Sequence, residues 1–276
     1  MKASNYKLDS WKIIEYGWDP KKILGSESIF SIGNGSMGQR ANFEEGFSGK
    51  TLQGSYIAGI YYPDKTKVGW WKNGYPEYFA KVINAPNWIG LSIKIDGATL
   101  DLNKVEKIDR FERILDMKKG LYQRFVSFKM KNDLKVEINS KRFLSMKIKS
   151  IGAISYSLKS NQDIEIHITP FIDFDVSNND SNWDEKFWEI LEKTNTKKKS
   201  LVRSSVKKSG FNVITYMKAN LYDDNIKLEN PFQTKSTTKK IALESKYSLK
   251  KDRTLKVEKF GGYVTSKCNN WGKIES

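Results

Sequence analysis

The sequence predicts an all-β fold, a large sandwich of the mutarotase-like type built from many short antiparallel strands. Apolar and polar residues alternate in segment after segment from about residue 91 onward, and turn signals separate these segments. Glycines crowd the first ninety residues, as expected for turns and bulges between short strands. Short alternating segments at regular spacing are typical of β-sandwiches and barrels.

The strands can be placed one by one. Leu91–Ile95 alternates and runs into Asp96-Gly97, a strong hairpin-turn dipeptide, and Leu100 begins the return strand. Further strands are predicted at 121–130, 134–138, 153–158, 164–168, 211–218, 241–244 and 255–265, with Lys131-Asn132-Asp133 as the turn between the first two. The fold class does not change along the chain, so we expect one sandwich domain over residues 1–266.

One short helix is expected near residues 182–193. Ser181 or Asn182 can cap it, and the acidic residues that follow suit the first turn of a helix. Four apolar side chains then share one face at helical spacing: Trp183, Phe187, Ile190 and Leu191.

The chain carries a formal charge of +16, yet its lysines are scattered and heavily outnumber its arginines. A phosphate-reading surface would favour arginine, so we expect no nucleic-acid partner. The basic run from Lys193 to Lys208 is interpreted as a solvated connection, with a polyanion-binding loop as the alternative. Cys268 is the single cysteine, and no signal peptide or membrane span is visible, so a cytoplasmic protein is expected.

No catalytic site is predicted. His167, the only histidine, lies in an alternating strand and points away from its isoleucine neighbours, and a zinc site would lack ligands. The string from Gly33 to Gly38 lacks the strand-turn-helix context of a dinucleotide site and is interpreted as a tight bend. The carboxylate pairs Glu44-Glu45 and Asp173 with Asp175 receive no catalytic role, because the sequence does not give the separation of their carboxylates.

An aromatic cluster stands out. Trp70-Trp71 lie between glycines, with Tyr75 and Tyr78 close by. Such rings can stack on sugars, anchor a protein interface or pack in the core, and the residues alone leave these three roles open.

Several short motifs follow one another in an order that resembles glycoside hydrolase family 65. They are Glu27–Gly35, Gly38-Gln-Arg40, Phe43–Gly46, Gly54–Tyr61, Asn84–Trp88, Arg113–Met117, Leu121–Arg124, Lys141–Phe143 and Tyr263–Ser266. Within that family the stretches 61–80, 170–173 and 182–188 are most similar to the bacterial maltose phosphorylases. The resemblance covers nearly the whole chain.

The resemblance implies an N-terminal, non-catalytic sandwich domain. In such enzymes an (α/α)6 barrel, joined by a linker that we expect to begin at 267–276, would hold the catalytic acid. Inorganic phosphate is the co-substrate that converts a disaccharide such as maltose to β-glucose 1-phosphate and glucose, and no cofactor is expected. The alternatives are trehalose or kojibiose as substrate, or a free-standing carbohydrate-binding module.

The resemblance also implies contacts with the barrel, with the disaccharide and, in the full-length enzyme, with a second copy in a homodimer. Without its barrel the chain alone is expected to be inactive. The residues predicted for a barrel, dimer or sugar contact are Trp70, Trp71, Tyr75, Tyr78, Trp88, Trp183 and Trp188.

Overall fold

The computed structural model describes residues 6–67, 74–179, 185–196 and 200–266. Within them it contains one short helix and many strands, so the predicted all-β class is confirmed. The elements are β1 (Tyr6–Leu8), β2 (Lys12–Tyr16), α1 (Ile23–Ile29), β3 (Ile32–Gly33), β4 (Met37–Gln39), β5 (Ser55–Ile57), β6 (Tyr61–Lys65), β7 (Tyr78–Val82), β8 (Leu91–Ile95), β9 (Ala98–Thr99), β10 (Lys107–Asp116), β11 (Leu121–Lys129), β12 (Lys135–Leu144), β13 (Ile151–Ser160), β14 (Ile164–Asp173), β15 (Trp188–Asn195), β16 (Ser200–Val206), β17 (Asn212–Asp223), β18 (Ile226–Lys227), β19 (Gln233–Ser236), β20 (Lys240–Leu249) and β21 (Thr254–Thr265).

An 11-stranded antiparallel sheet forms one layer of the sandwich. Its strands follow the order β1-β2-β10-β11-β12-β13-β21-β17-β16-β15, and β18 pairs with β17. Strands β11 and β12 alternate strictly between buried and less buried side chains, so one face of the sheet is buried and the other faces outward.

A five-stranded sheet, in the order β19-β20-β14-β8-β9, forms the second layer. Isoleucines from its inner face, such as Ile93 and Ile166, join Val126 and Val257 of the large sheet in one core cluster. A buried lysine bridges the layers, because Lys259 Nζ on β21 donates to the carbonyls of Gly90 and Phe171, each at 2.7 Å. Its burial holds the pKa of Lys259 well below the usual range.

Two hairpin turns predicted from sequence are present. Asp96 and Gly97 both have positive φ, at 46° and 80°, and join β8 to β9. Asn132 and Asp133 also have positive φ and join β11 to β12. This backbone conformation suits the twist of a tight hairpin, which is why the dipeptides signalled it.

The helix predicted at 182–193 is wrong. Residues 180–184 lie outside the described part, but Trp188–Asn195 form a strand, β15, that pairs with β16. A register shift between Ile190 and Glu192 interrupts the strand alternation, which explains why the apolar spacing imitated a helix. Pairing with a neighbouring strand overrides this local pattern.

Two small sheets lie at one end of the sandwich, which we call the loop end. There the turns β10–β11 and β12–β13 meet the end of β21. The sheet β3-β4-β5 is fixed there because Asn34 Nδ2 donates to the carbonyls of Ser145 and Lys149 at 2.8 and 2.9 Å. The hairpin β6-β7 is fixed there because Ser209 Oγ donates to the Tyr61 carbonyl at 3.0 Å.

Candidate functional site: an exposed apolar hairpin

The outer side of the β6-β7 hairpin is an exposed apolar ladder. Cross-strand pairs place Tyr61 opposite Val82 and Pro63 opposite Ala80, with Tyr78 next in line opposite Lys65. Val82 is 61% exposed and Tyr78 is 48% exposed. A monomeric domain usually covers such a ladder or uses it for binding. We call these side chains the hairpin face.

A groove continues the hairpin face toward the three-stranded sheet. It has a volume of about 420 Å³ and an apolar floor. Its side-chain lining comes from Met37, Tyr56, Ile57, Ile60, Tyr61 and Val82. The groove and the ladder together form one apolar surface at the loop end.

The inner side of the same hairpin is buried and bonded to the rest of the sandwich. Lys81 Nζ pairs with Asp64 Oδ2 at 2.8 Å, and both side chains are buried. Tyr62 is also buried, and its hydroxyl donates to Glu185 Oε2 at 2.6 Å. Burial, followed by this hydrogen bond to a carboxylate, raises the pKa of Tyr62. Because the inner side makes these contacts, the apolar residues of the outer side stay exposed to solvent.

The predicted contact residues divide into three groups. Tyr75 and Tyr78 are exposed at the hairpin, and their role stays a prediction. Trp70, Trp71 and Trp183 lie outside the described residues. Trp88 and Trp188 are buried inside the sandwich, so the prediction that their side chains contact another domain or a sugar is wrong for this conformation.

The two buried tryptophans have structural partners instead. Trp188 Nε1 donates to the Asn84 carbonyl at 2.6 Å. Trp88 fills a slot over Gly152 and Gly261, where an added Cβ would come within 2.6 and 2.7 Å of its ring. The sequence prediction placed these rings on a surface because it rested on the aromatic residue type, and the residue type alone does not give the burial of a side chain.

Glu44 and Glu45 form a buried ion cluster that the sequence did not reveal. They lie outside the strands, so both can reach Arg124, which binds Glu45 at 2.6 Å and Glu44 at 2.9 Å. Arg142 also binds Glu44 and donates to the Asn42 carbonyl at 2.7 Å. All four charged side chains are buried.

The cluster holds the carboxyl group of Glu44 in its ionised form. Burial alone would raise the pKa of Glu44, but the Arg142 and Arg124 guanidinium groups outweigh it and lower the pKa to about 2. An ionised, fully paired carboxylate is poorly suited to donating a proton. The cluster therefore stabilises the inner face of β11 and β12, and it joins three of the sequence motifs: Phe43–Gly46, Leu121–Arg124 and Lys141–Phe143.

The remaining candidates for chemistry also have structural roles. His167 Nε2 lies 2.9 Å from Glu165 Oε1 on the surface, as the strand pattern indicated. Asp173 pairs with Lys240, and hydrogen bonds from Lys239 and Lys186 lower the pKa of Asp175. The glycine string forms the β3-β4 turn, with Gly35 at φ 81°. Among the described residues, no three His, Cys, Asp or Glu side chains are grouped as metal ligands.

Sequence reasoning found Tyr75 and Tyr78 but missed the rest of the hairpin face. The sequence contains little signal for it, because the buried side of β6 holds Asp64 beside Tyr62, so burial does not follow an alternation of apolar and polar residues. Within the described part of the chain, no helix is long and apolar enough to cross a membrane.

A comparison with family models matches residues 13–273 to the model described as glycosyl hydrolase family 65, N-terminal domain. The maltose phosphorylase of Bacillus subtilis is 45% identical over 67% of this chain and 24% of its own length. The α,α-trehalose phosphorylase of Thermoanaerobacter brockii is 28% identical over 98% of this chain and 36% of its own length.

A comparison with solved structures agrees with the sequence comparisons. A solved structure provisionally named as a kojibiose phosphorylase from the human microbiome superposes with a TM-score of 0.84 at 26% identity. The match covers 99% of this chain and 34% of that one. The chain thus spans between about a quarter and about a third of the length of these relatives.

Proposed function

The chain belongs to glycosyl hydrolase family 65, within its N-terminal domain, and from this premise we propose that it is the non-catalytic domain of a maltose phosphorylase-like enzyme. In this proposal the complete enzyme is cytoplasmic and uses inorganic phosphate to cleave maltose into β-glucose 1-phosphate and glucose. The reaction takes place in an (α/α)6 catalytic domain, and this chain alone is inactive. Residues 267–276 begin the linker to that domain.

The exposed hairpin face is the main observation that supports the proposed function. It is an apolar surface on a hairpin whose inner side is buried, and a second domain would bury it. It lies at the loop end, where β21 also ends, so a domain that follows β21 is close enough to contact it. Maltose is favoured as the substrate because the highest identity among the relatives compared, 45%, is to a maltose phosphorylase.

The exposed rings of Tyr75 and Tyr78, on which a sugar could stack, support a second candidate, a carbohydrate-binding module. Calorimetric titration of the chain with maltose separates the two functions, with phosphorolysis of maltose measured in parallel. The first proposal predicts neither binding heat nor glucose 1-phosphate. Saturable binding would favour the module, and product formation would contradict a non-catalytic role.

A further inference from the structure

A small pocket opens beside the buried ion cluster and has a volume of about 190 Å³. Its walls come from residues 42–47, from Thr51 and Gln53, and from Asn87, Gly90 and Phe171. It shares no lining residue with the groove at the hairpin face. We call it the amide pocket, because three of its side chains end in a carboxamide: Asn42, Gln53 and Asn87.

Two of these carboxamides keep an N–H donor free. Gln53 Nε2 is buried and has no hydrogen-bond acceptor among the described residues. Asn87 Oδ1 accepts from the Ile89 amide at 3.0 Å, which orients the side chain and leaves its Nδ2 without an acceptor in the same part of the chain. An unpaired buried donor is unfavourable, so a ligand with oxygen acceptors would be stabilised here.

The segment that carries Gln53 is held in place on both sides. Asn42 Nδ2 donates to the Leu52 carbonyl at 2.9 Å, and Asn42 Oδ1 accepts from the Gly54 amide at 3.2 Å. The Leu52 amide donates to Glu27 Oε2 at 3.0 Å. These contacts position the Gln53 carboxamide before a ligand arrives, which lowers the entropic cost of binding.

The charges at the amide pocket disfavour an ion as its ligand. The two carboxylates in its wall, Glu44 and Glu45, both bind Arg124, so neither is free to hold a cation. None of the described residues that line the pocket is a lysine or an arginine, so an anion would lack a cationic partner in the wall.

Two lysines lie close to the Phe171 ring from outside the lining, and both are engaged. Lys259 Nζ donates to the Gly90 and Phe171 carbonyls, and Lys240 Nζ pairs with Asp173 Oδ2 at 3.0 Å. The ligand that fits the pocket is therefore neutral and rich in hydroxyl oxygens.

Aromatic rings form the apolar part of the wall, from Phe43, Phe47 and Phe171. A sugar ring can place its C–H groups against such rings while its hydroxyls meet the amides. A cavity of about 150 Å³ holds one benzene ring. A volume of about 190 Å³ thus has room for a single six-membered sugar ring and does not hold both rings of a disaccharide.

We propose that the amide pocket binds one monosaccharide, with the Gln53 and Asn87 amides donating to its oxygens. Only the choice of glucose as the ligand to test rests on the proposed function, because that reaction releases glucose. The pocket lies entirely within this chain, so binding needs no catalytic domain. It is also separate from Tyr75 and Tyr78 on the hairpin.

The test is calorimetric titration of the chain with glucose, for which saturable binding with a dissociation constant of about 1 mM is expected. Gln53→Met keeps the length of the side chain and removes the donor. Asn87→Asp keeps the acceptor for Ile89 and removes the Nδ2 donor. Each change should weaken binding about fivefold or more. Gln233→Met, which removes an exposed amide on β19, is the matched control and should bind glucose as the native chain does.

Two further ligands test the class of molecule that binds. Inorganic phosphate should not compete with glucose, and maltose should give no heat because its second ring does not fit. Displacement of glucose by phosphate would overturn the proposal, and so would maltose binding that is lost in Gln53→Met.

The remaining outcomes are equally decisive. A glucose titration without saturation at about 10 mM would overturn the proposal, as would glucose binding that both pocket variants leave unchanged at native thermal midpoints. No catalytic activity is measured, so a negative result leaves the proposed function intact. Conversely, failure of the proposed function would not abolish glucose binding by this chain.

Discussion

Single residues in this fold show that a sequence motif does not by itself reveal the structural role of its side chains. Glu44 and Glu45 received no catalytic role from the sequence, because it does not give the separation of their carboxylates and because two adjacent residues of a strand would point to opposite faces. They lie in a bend instead, and both contact Arg124, some eighty positions later in the sequence. Such long-range pairing depends on the register of β11, which a local pattern does not encode.

Removing one partner of this cluster should be costly. Glu44→Gln leaves the buried Arg124 and Arg142 with less compensating charge, and we expect the free energy of unfolding to fall by about 3 kcal/mol. Urea denaturation measures this change. Glu137→Gln, on the exposed side of β12, is the matched control and should change the unfolding free energy by less than about 0.5 kcal/mol.

The same carboxylate makes stability depend on pH. The pKa of Glu44 is about 2 in the folded chain and 4.5 as the ordinary value, so its stabilisation is complete above pH 4.5. It is lost as the pH falls from 4.5 toward 2, because the unfolded chain binds the proton first. Denaturation midpoints across that range should decline more steeply for the native chain than for Glu44→Gln, and parallel declines would contradict this account.

At the scale of elements, the two hairpin turns were predicted correctly, whereas one strand was predicted as a helix and one helix was missed. Asp96-Gly97 and the turn before Leu134 depend on two residues each, and both turns are present. Strand β15 was predicted as a helix because it contains a bulge. The extra residue breaks the strand alternation, so the apolar residues of the sequence fall at helical spacing. The helix α1 was missed, since no side chain caps its first turn and it carries no acidic residue there.

The β8-β9 turn offers a test of the backbone argument. Gly97→Val places a β-branched residue at φ 80°, and we expect a loss of about 1–3 kcal/mol in the free energy of unfolding. Gly25→Ala in α1 is the control, because an added Cβ there meets nothing within 4 Å. This control should be neutral or slightly stabilising. Equal losses of unfolding free energy in both variants would contradict the argument that the positive φ at position 97 requires glycine.

For the whole molecule, the fold class and family followed from sequence, whereas the candidate surface followed only in part. Alternation reports which side of a strand is buried, so the sandwich could be predicted. It does not report which elements meet at an end of the sandwich. Trp88 and Trp188 were therefore placed on a surface, and Val82, which is 61% exposed on the hairpin face, was overlooked.

The central claim is that this domain supports a disaccharide phosphorylase through its hairpin face. A chimera tests it most directly, with this chain replacing the matching N-terminal part of the Bacillus subtilis maltose phosphorylase. Release of glucose 1-phosphate from maltose and phosphate is the measurement. We expect activity in the chimera, and a loss of about tenfold or more with Val82→Lys. Ile226→Lys, a similarly exposed change on β18, should keep full activity. An inactive chimera that is folded, or full activity with Val82→Lys, would contradict the claim.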